Sequence, residues 1–352
     1  MGEVRHFRTG GLDFSIELDS PWKFMEYTVP VAERIRRAAA GEVLEILPTR
    51  AGDDIPERTL VKDRSELPEE FDARTLDFSQ YEPFAVRETA EELFRLKILG
   101  TKPDWAEELR EADMIMDVTD IIPGYRIYRH GTDTVYEFLR ENGSQNGFML
   151  VPEDCHRYEF ATAGKTGPYA TMSMIDFATR IACTYNVSRH NALMVHSSVV
   201  SLEGEAYMFL GTSGTGKSTH SRLWLDNIPG TELVNDDNPI IRIEDGKLYV
   251  YGTPWSGKTP CYRNVKCPVH AIVKLNQAPE NRISRLKGLN AYTGIAGSVS
   301  SIRWSRQIMD DITSMLSRIA MTTPCFSMDC RPNREAAEVC CQGVSAPWSV
   351  SH

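Results

Sequence analysis

Nowhere in its 352 residues does the chain hold an apolar run approaching the ~20 residues that cross a bilayer. The opening Met1-Gly2-Glu3-Val4-Arg5-His6 is polar and charged, unlike an apolar signal stretch. A cytoplasmic location with no membrane partner is therefore expected. None of the eight cysteines (Cys155, Cys183, Cys261, Cys267, Cys325, Cys330, Cys340 and Cys341) forms a Cys-x-x-Cys pair, a spacing poor for zinc, so plain thiols are expected and no structural metal is assigned. Positive charge is also short: 39 Lys and Arg against 49 Asp and Glu give a net charge of −10, which argues against nucleic acid as a partner. With 41% hydrophobic and 25% charged residues, the composition is that of a globular protein with length for two domains.

What is present is a glycine-rich signature. Gly211-Thr212-Ser213-Gly214-Thr215-Gly216-Lys217-Ser218 satisfies G-x-x-x-x-G-K-[ST] at every fixed position, preceded by the apolar run Glu205-Ala206-Tyr207-Met208-Phe209-Leu210 and followed by a helix-like stretch beginning at Ser218-Thr219. Wrapping a polyphosphate in backbone N–H groups needs glycine, because a side chain would obstruct the approach, and the helix start adds its own free N–H groups. A polyphosphate is thus the expected ligand, cradled by residues 211 to 219. Lys217 would neutralise β/γ-phosphate charge, and the Ser218 hydroxyl would ligate Mg²⁺. The competing reading is a Gly/Ser loop with no ligand, against which the flanking strand and helix weigh.

Phosphoryl transfer also needs a metal-facing carboxylate and one directed at the acceptor hydroxyl. Asp236-Asp237 supplies both at the end of an apolar strand, with Asp237 20 residues beyond Lys217. Asp236 would serve Mg²⁺ and Asp237 would accept the hydroxyl proton; the alternative is a solvated turn before Asn238-Pro239. His196 precedes Lys217 by 21 residues, on a strand expected to pair with the loop strand, and its side chain would approach the aspartates; a structural histidine is the alternative. Lys258, Arg263 and Lys266 form a basic stretch beyond a Gly-rich loop. Of these, Lys258 is the candidate contact for transition-state charge, with a solvated loop as the alternative.

The expected fold is α/β in the mixed α+β sense. An N-terminal α+β domain (residues 1–190) would carry substrate recognition, and residues 191–352 would form the nucleotide-binding domain. In the first, a strand is expected at residues 12–18, helices at 31–39, 88–99 and 104–112, an acidic loop over 51–72, an antiparallel meander over 124–161 and a closing amphipathic helix over 169–185. In the second, residues 193–201 and 206–210 form a hairpin feeding the loop. Strands follow at 232–234, 240–243, 248–251, 270–275 and 325–330, with helices at 290–296, 305–321 and 333–341.

The run Val195-His196-Ser197-Ser198-Val199-Val200, the loop through Thr219 and Val234-Asn235-Asp236-Asp237 together resemble the catalytic core of HPr kinase/phosphorylase. They are more closely similar to the broader HPr-kinase-like group, with its H-[AS]-S strand, G-x-S-G-x-G-K-S-T loop and D-D strand end. The resemblance covers roughly residues 193–334. It implies a P-loop core related to phosphoenolpyruvate carboxykinase, an ATP- and Mg²⁺-dependent phosphotransferase acting on a hydroxyl, most plausibly serine of a protein or peptide. By matching position Lys217 binds phosphate, Ser218 and Asp236 serve the metal, Asp237 is the base and His196 supports it; oligomers are frequent in such kinases. Thr219 stands where HPr kinases proper carry an acidic residue, and Gly252-Thr253-Pro254-Trp255-Ser256-Gly257-Lys258 stands where a Glu-x-Arg-Gly element is expected, so HPr and phosphorolysis are not carried over. Two rivals remain: a small-molecule kinase with the same core, and a nucleotide-sensing module without catalysis.

Overall fold

Alternation of apolar and polar side chains builds two large sheets in the computed structural model, which describes residues 2–25, 74–89, 91–119, 124–164, 166, 168–257 and 259–345. The expected helix at 31–39 and the acidic loop at 51–72 lie outside the described residues. The chain divides into two compact units, Met1–Asn186 and Val187–His352, and combines helices with several sheets in a mixed α/β fold. Among the described residues, no helix is long and apolar enough to cross a membrane.

The first unit holds strands β1 (Glu3–Thr9), β2 (Leu12–Leu18), β3 (Lys23–Phe24), β4 (Thr75–Leu76), β5 (Ala85–Val86), β6 (Glu92–Ile98), β7 (Asp113–Val118), β8 (Tyr125–His130), β9 (Asp133–Leu139), β10 (Gln145–Val151) and β11 (Arg157–Thr162). Among the described residues its α-helices are the short α1 (Trp105–Glu108) and the long α2 (Pro168–Val187). Nine strands form one sheet in the order β5-β1-β2-β6-β11-β10-β9-β8-β7. The expected meander is β8 to β11, and the closing helix is α2. One expectation fails: residues 88–99 do not form a helix. Phe94, Leu96 and Ile98 are each fully buried in β6, which pairs in parallel with β2 on one side and β11 on the other. Two ladders of backbone hydrogen bonds and a buried face override the helix propensity of Glu, Leu and Lys in this stretch. Stacking of Phe14 on Phe94 at 5.2 Å and packing of the α2 residue Phe177 on Phe138 at 5.7 Å extend this core across the sheet.

The second unit comprises β12 (Ala192–Met194), β13 (Ser197–Leu202), β14 (Glu205–Leu210), α3 (Lys217–Asn227), β15 (Glu232–Asp237), β16 (Ile240–Glu244), β17 (Lys247–Tyr251), β18 (Lys266–Gln277), β19 (Arg282–Leu286), α4 (Leu289–Ala296), α5 (Arg306–Thr322), β20 (Cys325–Cys330) and α6 (Arg334–Ser345). Its sheet runs β12-β16-β17-β18-β14-β13-β15, with β20 beside β18 and β19 beside β20. Trp224 of α3 and Ala336 and Cys340 of α6 close over Phe209, Val273 and Phe326, all fully buried. Each large apolar side chain in that cluster contributes roughly 1.5–3 kcal/mol by leaving water. The expected continuous strand over 193–201 is broken at Val195-His196. There the chain leaves β16, its partner at β12, bridges Val195 to Val299, and only then pairs with β14. β15 is longer than expected and includes both aspartates, and β19 is an additional strand.

Candidate active site

The site is assembled by three strand tips. β13 is antiparallel to both β14 and β15, so those two strands run parallel to each other and end where β13 begins. Ser197 lies opposite both Leu210 and Asp237, and Ser198 opposite both Phe209 and Asp236. With strands ~4.8 Å apart, the loop after Leu210 and the aspartates are separated by one intervening strand, a gap of ~10 Å that side chains can bridge. Opposed residues share a sheet face. Phe209 and Ser198 face α3, where the Phe209 ring lies 4.7 Å from His220 and the Ser198 and Ser221 hydroxyls are 2.5 Å apart. Asp236 falls on that same face, under the start of α3. Asp237 takes the other face with Ser197 and Leu210.

The glycine-rich loop joins β14 to α3. Gly214 at φ +79° and Gly216 at φ +102° are left-handed, and a Cβ added at either would meet no protein atom within 4 Å. Conformation, not crowding, therefore requires glycine there. Thr215 closes the turn by donating its N–H to the Thr212 carbonyl at 3.2 Å, and Gln277 of β18 donates to the Gly214 carbonyl at 3.1 Å. Thr212, Ser213, Ser218 and Thr219 are exposed, whereas Lys217 is buried, its ammonium donating to the carbonyls of Gly211 at 3.0 Å and Thr212 at 3.3 Å. Burial holds the Lys217 pKa below its ordinary value, against the opposing pull of Asp237 and Asp236. A lysine at the head of a helix thus lies in the field of both carboxylates from β15.

The two aspartates differ in their surroundings. Asp237 has a neighbour at each oxygen: His196 Nδ1 lies 2.9 Å from Oδ1, and Asn238 Nδ2 donates to Oδ2 at 2.7 Å. His196 itself is fixed by its backbone N–H, which donates to the Ser298 carbonyl at 2.7 Å. Asp236 is 3% exposed, and among the described residues no donor bonds its carboxylate. Among those residues, too, no three His, Cys, Asp or Glu side chains converge as a metal-binding group. A buried, undonated carboxylate on the sheet face covered by α3, the helix that begins at Lys217-Ser218, nevertheless fits Mg²⁺, which favours hard oxygen donors and needs only one or two from the protein when phosphates and waters supply the rest.

A clasp not anticipated from sequence holds β15 in place. Asn235 Nδ2 reaches Thr253 Oγ1 at 3.2 Å, Thr253 Oγ1 donates to the Asn238 carbonyl at 2.8 Å, and Ser256 bridges Asp237. Gly257 lies so close that a Cβ there would sit 2.7 Å from the Asp236 carbonyl oxygen. The segment standing where Glu-x-Arg-Gly was expected thus supplies hydrogen bonds and close backbone contact. The signal in the sequence was the polar pair Asn235 and Asn238 flanking the aspartates. Lys258 lies outside the described residues. Arg263 donates to the Leu233 carbonyl at 2.6 Å and pairs with Glu232, and Lys266 pairs with Glu244, so both serve neighbouring strands. Ser197 is fully buried, and among the described residues its hydroxyl has no hydrogen-bond partner.

No protein-family model matches the chain, and no curated protein does. Among solved structures, the chain is similar to the HPr(Ser) kinase/phosphatase from Coxiella burnetii over 43% of its own length and 94% of that chain, at 13% identity and a TM-score of 0.28. At that score the likeness carries no weight for fold or chemistry.

Proposed function

We propose that the second unit is an ATP- and Mg²⁺-dependent phosphotransferase that moves the γ-phosphoryl group to a hydroxyl, with serine of a protein or peptide as acceptor. One observation carries the reading: a glycine loop matching the phosphate-binding signature leaves β14 at Leu210, and Asp236-Asp237 end β15 at the same level of the sheet, both paired to Ser197-Ser198 of the one strand between them. A loop without a ligand gives no reason for that convergence. In this reading Lys217 exchanges its bonds to the Gly211 and Thr212 carbonyls for phosphate oxygens, while the N–H groups of residues 211 to 219 surround the polyphosphate. Asp236 and Ser218 hold Mg²⁺, which supplies positive charge to the phosphate oxygens when bound. Asp237 accepts the proton of the attacking hydroxyl, and His196 orients that carboxylate. Lys258 retains its place as a contact for developing charge on sequence grounds.

The test is incubation of the purified chain with γ-labelled ATP and host lysate, followed by mass spectrometric location of the label. Label on a protein or peptide seryl oxygen supports the reading. Label on a metabolite alone replaces it with a small-molecule kinase, and tight ATP binding with no transfer to any component replaces it with a nucleotide-sensing module.

A further inference from the structure

We infer that Asn238 is a positioning residue for the transfer step, holding Asp237 in the orientation from which it receives the acceptor proton; the inference rests on the phosphotransferase reading above. Asp237 is gripped from both ends. His196 Nδ1 occupies Oδ1 at 2.9 Å, and Asn238 Nδ2 occupies Oδ2 at 2.7 Å. A carboxylate held at one oxygen pivots about its terminal torsion, whereas one held at both does not, and proton transfer depends on that alignment. Because an ionised carboxylate only accepts, the amide must present its nitrogen to Asp237.

Asn238 is itself immobilised, which separates it from a surface asparagine touching a neighbour. It is 6% exposed, its N–H donates to Asn235 Oδ1 at 3.1 Å, and its carbonyl accepts from Thr253 Oγ1 at 2.8 Å. Pro239 follows directly, and the residue before a proline is restricted to extended backbone. Asn238 is therefore preset before any substrate binds, by a proline at its back and a clasp across its backbone. The side-chain amide is the one part of the residue left to work on Asp237.

Asn238→Ala in the full chain removes that amide and leaves the backbone bonds to Asn235 and Thr253 available. The expected result is a 10- to 100-fold fall in kcat, read as labelled phosphate released from MgATP and as label transferred to lysate protein, on the order of the 1.5–3 kcal/mol of a hydrogen bond to a charged group. KM for MgATP and the thermal midpoint stay close to those of the parent. A fall in kcat matched by loss of MgATP binding and of folded protein would instead make Asn238 structural and overturn the inference. A second readout is independent of turnover. The Asn238 side-chain amide NMR signal, identified by its loss in Asn238→Ala, is expected to shift in Asp237→Ala; an unmoved signal overturns the contact. If the parent binds MgATP but transfers no label, the phosphotransferase reading falls while the amide signal still decides whether Asn238 holds Asp237.

Discussion

Two buried polar residues beside the site give opposite expectations. Among the described residues the Ser197 hydroxyl is enclosed without a partner between Leu210 and Asp237, and an unsatisfied buried hydroxyl costs about 1–3 kcal/mol. Ser197→Ala is therefore expected to raise unfolding stability by about 1 kcal/mol in denaturant titration with label transfer unchanged; lost transfer would show that the hydroxyl bonds substrate. His220 is the reverse case, satisfied and neutral. Its Nε2 accepts from Trp224 Nε1 at 3.2 Å, and burial pulls its pKa down to about 4. The unfolded chain protonates this ring near 6.5 while the folded chain resists until about 4. Stability is thus fully present above 6.5, falls as pH drops through that window by about 3 kcal/mol, and levels below 4. His220→Gln should flatten that part of the stability profile measured by urea unfolding at successive pH values; an unchanged slope would contradict the account.

At the scale of elements, the chain's local signals and its long-range ones part company. The glycine loop, the hairpin turn at Glu203-Gly204 and the aspartate strand end were readable because each depends on residues close in sequence. The break at Val195-His196 was not, since it is caused by a bridge to Val299 more than a hundred residues away. Residues 88–99 misled for a related reason: their apolar positions satisfy helical spacing, while Phe94, Leu96 and Ile98 also alternate, and only flanking β2 and β11 decide between the two. The same limit hid the clasp, because Gly252 to Gly257 read as a loop lacking charge. Gly257 tests it. A methyl there would lie 2.7 Å from the Asp236 carbonyl oxygen and 3.3 Å from Asp237 Cβ, so Gly257→Ala must displace the strand end. A loss on the order of 2 kcal/mol from overpacking is expected, with label transfer abolished. A variant as stable and active as the parent would remove the clasp from the account.

For the whole molecule, the division at Asn186 and Val187 places the loop, both aspartates, His196 and the clasp within one unit. A fragment beginning at Val187 is therefore expected to bind MgATP with an affinity within about threefold of the full chain by calorimetric titration, a difference of less than about 1 kcal/mol. Loss of binding in a folded fragment would assign part of the nucleotide site to the first unit. An acceptor would be legible in neither sequence nor fold, because phosphoryl transfer asks so little covalent chemistry of a protein. The central claim is that Lys217 and the paired carboxylates meet one magnesium-bound triphosphate, and Asp237→Asn tests it most directly when binding and transfer are measured on the same sample. The account predicts MgATP affinity within about threefold of the parent and no label transferred above background; transfer at the parental rate would contradict it.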